Sequence, residues 1–416
     1  MTACPICRSA VEPVVSFGRM PLANGFLQRE DFGTEYFFEL ALGFCENCAM
    51  AQLVESVPRD KMFHAEYPFF TSSSVRMAEH FRRFAQQVAR EWLSGSGPFV
   101  VEIGSNDGTL LREFAATDSR LLGIEPSSNV AAVAESKGIP TICRFFDRET
   151  AKDIVRDHGR ADAVVAANCF CHIQDLHALA AGLQILLKPG GVVIFEDPYV
   201  GDILEKIAYD QIYDEHMYYF SVASVTQWLS QHGFEIVDVQ PQAVHGGSMR
   251  YTVGRRGERS ASTGVDAQRR SETRMGLQCP ETYHQFGLRV ERARDELVGL
   301  LRRIKAEGKR VVGYAATSKS TTVLNYCGIS TGLVEFISDT TPLKQGKFSP
   351  GMHIPIRPRQ EFEARYPDYA LLFAWNHAEE IFEKERGFRQ AGGQWITYVP
   401  TVGILQDADV PASLHG

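Results

Sequence analysis

The sequence predicts an α/β protein in three parts: a small N-terminal cysteine-bearing domain, a central doubly wound α/β domain, and a second α/β domain at the C-terminus. Two Cys-x-x-Cys knuckles, Cys4/Cys7 and Cys45/Cys48, frame the first part. From Pro98 short β-rich runs alternate with helical patterns, the mark of a parallel sheet covered by helices. The same alternation restarts at Arg310, after a polar stretch and a long helical pattern. These signals divide the chain into 1–67, 68–255, a connector and helix over 256–308, and 309–416. A length of 416 residues agrees, because single cores rarely grow beyond about 250–300 residues.

Taken in order, Pro13–Gly18 and Phe37–Phe44 read as short antiparallel strands of the head. Ser72–Trp92 carries apolar residues at helical spacing (Val75, Met77, Phe81, Phe84, Val88) and stops at Gly95 to Pro98. Strands follow at Phe99–Ile103, Leu121–Ile124, Ala163–Ala167 and Gly191–Phe195. Phe234–Val239 and Met249–Val253 then succeed each other without a helix and read as an antiparallel edge hairpin. Arg255–Arg274 is polar and reads as a surface connector. Tyr283–Ala306 repeats its apolar residues as a helix does, ending at Gly308. The tail strands are Arg310–Tyr314, Val334–Ser338, Tyr369–Phe373 and Trp395–Val399, with helical patterns between them.

Composition narrows the function classes. Hydrophobic residues are 44% and charged residues 23%, near globular averages, so a packed core is affordable and disorder is not expected. The chain has 43 Lys+Arg against 51 Asp+Glu, a net charge of -8, and lacks the basic excess that non-specific nucleic-acid binding requires. No run of about 18 apolar residues offers a membrane span, and the N-terminus has no signal-peptide pattern, so a cytoplasmic protein is expected. In that reducing compartment cysteines read as metal ligands or small apolar residues. Cys4, Cys7, Cys45 and Cys48 have the spacing that lets paired thiolates grip one tetrahedral ion, and four thiolates close the shell. A structural zinc is therefore expected.

Phe99-Val-Val-Glu-Ile-Gly104-Ser-Asn-Asp-Gly108 is a strand, a glycine turn and a helix start, where free amides and positive partial charge meet a ligand. It lacks the G-x-G-x-x-G spacing of dinucleotide sites. About 20 residues on, Glu125 closes the second strand, placed to accept a ribose's hydroxyls. Ribose without pyrophosphate fits S-adenosylmethionine (SAM).

These residues, with the two knuckles and Gly-Ile-Glu125-Pro, resemble the zinc-containing sugar C-methyltransferases, whose type reaction is 3-C-methylation of nucleotide-linked 4-keto-deoxysugars. The likeness spans almost the whole chain. It implies a zinc-binding head, a class I SAM-methyltransferase Rossmann-like middle domain and a second Rossmann-like tail. It implies that Gly104, Asn106, Asp107, Gly108 and Glu125 hold SAM, with Phe145 or Phe146 near the adenine and Asn168 near the methionine end.

The segment from Tyr199 to Phe220 follows the fourth middle-domain strand, where ligands of such sheets bind. An imidazole, a carboxylate and a phenol suit proton abstraction next to a carbonyl. With the resemblance this assigns His216 as base, Glu215 as its partner or a substrate ligand, and Tyr213 as a hydrogen-bond donor. Tyr67 matches an active-site tyrosine of the family or is a core aromatic. Tyr199, His245, Gly246 and Ser248 are placed at the substrate, and His172 is a family match that packing alone also explains. Position 214 is Asp where the family often has a second His; it either strengthens the base or faces solvent.

In the tail, Ser318 and Lys319 open a helix after a small-residue turn, an anion site by dipole logic, and Asp339 and Lys344 add polar groups at the next strand end. The resemblance puts a nucleotide diphosphate there, although two glycines of the family's turn are replaced. The combined expectation is a SAM-dependent C-methyltransferase acting at C3 of a nucleotide-diphosphate keto-deoxysugar through His-catalysed deprotonation and an enolate. The partner is that small molecule, and the chain is a monomer or weak homo-oligomer. O-methylation of another small molecule and a non-catalytic nucleotide-binding scaffold are the alternatives.

Overall fold

Alternating buried and exposed residues in the head form antiparallel strands, as the sequence predicts. The computed structural model describes residues 2–405 apart from 66, 69 and 74. β1 (Thr2–Ala3), β2 (Ala10–Pro21), β3 (Phe37–Cys45) and β4 (Met50–Leu53) lie side by side, each antiparallel to the next. Along β2, Val11, Val15, Phe17 and Met20 turn inward.

The middle domain contributes β5 (Phe99–Ile103), β6 (Arg120–Ile124), β7 (Thr141–Ile142), β8 (Ala161–Ala167), β9 (Leu187–Pro198), β10 (Tyr218–Tyr219), β11 (Phe234–Gln242) and β12 (Ser248–Arg255). Seven of these form one sheet in the order β11-β12-β9-β8-β5-β6-β7. β7 to β9 are parallel neighbours through β5, and β12 pairs antiparallel with both β9 and β11, the expected edge hairpin. β10 goes elsewhere: Tyr218 and Tyr219 pair with Gln52 and Ala51 of β4 and complete the head sheet. The chain thus returns to the head straight after the His216 segment, which no periodicity in a two-residue strand could reveal.

Both faces of the middle sheet are buried, which explains its near-continuous apolar strands. Val100, Val165 and Ile194 pack under the helix Val75–Trp92. Val101, Val164 and Phe195 face a larger core that also contains Phe17 and Phe44 of the head and Ile337 of the tail. The tail sheet, from β13 (Val311–Tyr314), β14 (Ile337–Ser338), β15 (Ile356–Arg357), β16 (Tyr369–Leu372), β17 (Gln394–Thr397) and β18 (Gly403–Leu405), runs β15-β14-β13-β16-β17-β18. It is parallel except for β18. The strand read at Val334–Ser338 shortens to its last two residues, although Val334 and Phe336 remain buried.

The surface connector requires correction. Thr263–Met275 is a helix, with Val265 and Glu272 wholly buried. Glu272 accepts hydrogen bonds from the Val222 and Ala223 amides (2.6 and 3.0 Å) and so caps the helix Val222–Ser230 from outside. With few apolar residues the helix had no stripe to betray it. Pro280–Ala306 is the long helix, with proline in its first turn and Tyr283, Phe286, Val290, Leu297, Leu301 and Ile304 inward. Tyr283 stacks on Phe44 at 4.3 Å, joining the helix to the head.

Candidate active site and metal centre

The knuckles bring four sulfurs together. The Sγ atoms of Cys4, Cys7, Cys45 and Cys48 all lie within 4.8 Å of one another, with Cys4–Cys48 at 3.6 Å and Cys7–Cys45 at 3.4 Å. Zinc–sulfur bonds of about 2.3 Å put tetrahedral thiolates about 3.8 Å apart, so the set fits one closed-shell zinc and leaves no open position for catalysis. Gln52 Nε2 donates to Cys4 Sγ at 3.4 Å, which helps orient that ligand.

The carboxyl ends of β5, β6 and β8 converge where strand order reverses on either side of β5, the place such sheets bind ligands. A cavity of about 1040 Å³ opens there and runs to the tail, at the upper end of small-ligand pockets and roomy enough for two ligands. Gly104 (φ 72°) lines it, and a Cβ at that position would collide with Cys169. Glu125 accepts from the Asn106 amide (3.0 Å) and the Ser127 amide (2.8 Å), which fixes its carboxylate at the cavity wall and opposes the rise in pKa caused by burial. Phe145, Phe146 and Asn168 also line the cavity, and Arg59 lies 4.2 Å over the Phe145 ring. This lining suits SAM: a carboxylate for the ribose, aromatic rings for the adenine and polar backbone at the glycine turn. Asp107 and Gly108 do not line it. Asp107 is buried behind the turn, where it accepts from Lys137 Nζ (3.0 Å) and the Thr109 hydroxyl (2.6 Å).

His216 sits on a tight turn, its amide bonded to Tyr213 O at 3.0 Å, and lines the same cavity. Its Nδ1 is 2.8 Å from the Gln211 carbonyl, which can only accept, so Nδ1 carries the hydrogen. Nε2 then holds the lone pair and accepts from the Tyr213 hydroxyl at 2.7 Å. Burial drives the imidazole's pKa well below its ordinary value, so it is neutral near pH 7. Glu215 is not hydrogen-bonded to His216: Oε1 accepts from Asn24 Nδ2 (2.5 Å) and Oε2 from the Tyr67 hydroxyl (3.0 Å). The main-chain carbonyl of Gln211, rather than Glu215, orients the ring. Tyr67 lies in the cavity wall.

Asp214 follows neither expected course. It is buried, Oδ1 accepts from the Ala23 amide (2.9 Å), and burial beside Glu215 pushes its carboxyl up to about 8. His172 lies 5.2 Å from His216 with near-parallel rings, and its Nε2 has no partner among the described residues. Cys171, His172 and His216 cluster closely enough for a metal. Parallel rings direct their lone pairs side by side, however, and both His216 nitrogens are engaged, so we read the three as neighbours.

From the tail, Lys319, Ser318, Asp339 and Lys344 all reach the cavity. Thr317 caps the helix Ser318–Tyr326. Lys319 Nζ donates to Asn376 Oδ1 (3.0 Å) and lies 4.9 Å from the Trp375 ring centre; burial pushes its pKa down to about 8, against the pull of Asp210. Asp339 accepts from the Ala316 and Thr341 amides, both at 2.7 Å, and Lys344 donates to Ala316 O at 2.7 Å. His245 lines the cavity too.

Three residues placed at the substrate lie elsewhere. Tyr199 turns away, its hydroxyl donating to Glu272 (3.1 Å) and accepting from Gln268 (2.9 Å). Gly246 packs against Trp375 so closely that any Cβ would overlap the ring, and Ser248 is buried on Val244 O. Of the cavity residues that the sequence reading did not assign, besides Gln211, two stand out. Glu102, a lone carboxylate in an apolar strand, is wholly buried with Oε2 unpartnered among the described residues; that lone charge was a usable signal. Asn24 lies 191 residues from Glu215, and nothing in its neighbourhood announces the contact.

The seven-stranded sheet with a ligand cavity at its switch point defines the class, a SAM-dependent methyltransferase of the class I fold with a zinc-bearing head. Family models agree: a zinc binding domain matches residues 4–63, a methyltransferase domain 77–239, and a C-methyltransferase C-terminal domain 243–400. The C-methyltransferase NovU of Streptomyces niveus is 36% identical over 394 residues, covering 94% of each chain. An uncharacterized methyltransferase of Bacillus pumilus is 27% identical over 38% of this chain and 78% of its own. Among solved structures, the magnesium protoporphyrin IX methyltransferase of Synechocystis with bound SAM covers 45% of this chain and 84% of its own at 14% identity, with a TM-score of 0.32. The chain belongs to the zinc-containing C-methyltransferase family represented by NovU. Its cofactor is SAM, and its four cysteines make a structural zinc site. No helix among the described residues is long and apolar enough to cross a membrane.

Proposed function

We propose that the protein methylates C3 of a nucleotide-diphosphate-linked 4-keto-deoxysugar, with His216 as the base. The observation that carries this reading is the neutral imidazole in the wall of a cavity shared by the glycine turn and the cationic tail, its basic Nε2 held by the Tyr213 hydroxyl. A 4-keto group acidifies the C3 proton. With the Tyr213 hydroxyl turned from Nε2 to the C4 oxygen, the freed Nε2 lone pair takes that proton, and the electron pair left on C3 delocalises onto the C4 oxygen as an enolate. Donated to that oxygen, the Tyr213 hydroxyl stabilises the enolate as its charge develops. Tyr67 and Glu215 line the same cavity as hydrogen-bonding groups for the acceptor, and Lys319 with Lys344 balances the diphosphate charge. Asn106, Glu125, Phe145 or Phe146, and Asn168 would hold SAM, which when bound supplies an electrophilic methyl on a good leaving group. Fixed geometry and polar groups are the protein's main contribution.

His216→Asn tests the assignment. Titration calorimetry should find SAM affinity unchanged while turnover falls about 10²–10⁴-fold, the usual worth of a general base. Mass spectrometry over thymidine-, guanosine- and cytidine-diphosphate keto sugars should find one acceptor gaining a single methylene. Wild-type turnover in the variant, or no acceptor in the panel, would overturn the reading.

A further inference from the structure

We propose that Asn24, carried by the zinc head, is a positioning residue of the transfer site: it fixes the Glu215 carboxylate and ties it to Ser318 in the tail. Its carboxamide is used at both ends. Nδ2 donates to Glu215 Oε1 at 2.5 Å, and Oδ1 accepts from the Ser318 hydroxyl at 3.1 Å. The side chain lines the cavity, so the link lies within the site.

The segment bearing it is fastened from both sides. The Ala23 amide donates to Asp214 (2.9 Å), and Ala23 O accepts from the Thr321 hydroxyl (2.8 Å). The turn closes through Gly25 N to Leu22 O (3.1 Å), and Leu27 exchanges backbone hydrogen bonds with Phe348 of the tail. Phe26 lies under Lys344, 5.0 Å from its ammonium. The segment continues directly from β2, whose sheet shares the head with the four cysteines. The head therefore walls the site as a third side.

Only a carboxamide serves both contacts at this length. Alanine leaves Glu215 Oε1 without its donor. Aspartate has the same shape, cannot donate, and sets a third carboxyl beside Glu215 and Asp214. The groups facing Glu215 are Asp214 and Tyr213 on its own segment, Tyr67 from the junction, Cys171 from the turn after β8, and Lys344 from the tail.

The claim rests on the proposed function only in taking Glu215 to face the acceptor. The test uses the zinc-loaded full chain: wild type, N24A, N24D, S318A and N24A/S318A, with kcat and KM on the accepted keto-sugar nucleotide and SAM affinity by calorimetry. N24D should lower kcat by about tenfold or more with SAM affinity within about twofold. The double variant should have a kcat no lower than that of N24A alone, because both substitutions cut one chain of contacts, while any loss of a Ser318 contact to the diphosphate is read in KM. Wild-type kcat in N24D, or effects of N24A and S318A on kcat that multiply, would overturn the proposal. Should N24D fail to fold, N24A carries the same kcat test. If wild type accepts no nucleotide keto sugar, it is the proposed function that fails. Asn24 is then decided by carbon-13 NMR of labelled glutamate carboxyls, assigned with Glu215→Gln: N24D or N24A should raise the titration midpoint of Glu215, and an unmoved midpoint would overturn the positioning role.

Discussion

Asp214 lies one residue from Glu215 and two from the assigned base, yet it is built to be uncharged. Its carboxyl is pushed from an ordinary 3.8 up to about 8 by burial and by Glu215. A group that binds its proton more tightly when folded stabilises the fold fully below about pH 4, and that stabilisation is lost as pH rises through about 8. Asp197, buried and pushed up to about 7, adds the same sign over a narrower window. Asp214→Asn keeps an acceptor for the Ala23 amide and removes the titration. Its melting temperature should fall less steeply than wild type between about pH 4 and 8 by scanning calorimetry; equal slopes would contradict the assignment. Lys319 titrates in the opposite sense. In the proposed function its ammonium, weakened to about 8, is the form that would pair with a diphosphate, so kcat/KM for the nucleotide sugar should decline as pH passes about 8. A profile flat through about pH 9 would remove Lys319 from the anion site.

The elements divide by how openly their sequences declare them. The parallel strands β5, β8 and β9 are apolar on both faces and could be read directly, as could Glu125, whose distance from the glycine turn follows from one βαβ unit. The helix Thr263–Met275 could not, because its packing is polar: Glu272 reaches across to two amides and the Tyr199 hydroxyl. The same contact explains why Tyr199 misled, since an aromatic hydroxyl just past a strand end can as well face a neighbouring helix as a ligand. Asn24 and β10 stayed hidden because their partners are remote in sequence. Glu272→Ala should destabilise the protein by about 2–3 kcal/mol, since it strips the buried Val222 amide and the partly buried Ala223 amide of their acceptor. Urea unfolding measures this directly, and a change under about 0.5 kcal/mol would show that water replaces the carboxylate.

At the scale of the molecule three sheets share one core, and each supplies part of the cavity wall: Asn24 from the head, Gly104, Glu125 and His216 from the middle, Lys319 and Lys344 from the tail. Chelating the zinc should therefore abolish methyl transfer together with the stability of the head, and restoring zinc should recover both. Full activity in metal-free protein would show the head to be dispensable. The central claim is that a neutral imidazole in this shared cavity removes a carbon-bound proton. It is tested most directly by incubating the keto-sugar nucleotide with the protein in D₂O without SAM and following the C3 proton by NMR. The account predicts exchange with wild type and none with His216→Asn. A C3 proton retained by wild type, or exchanged equally by the variant, would contradict it.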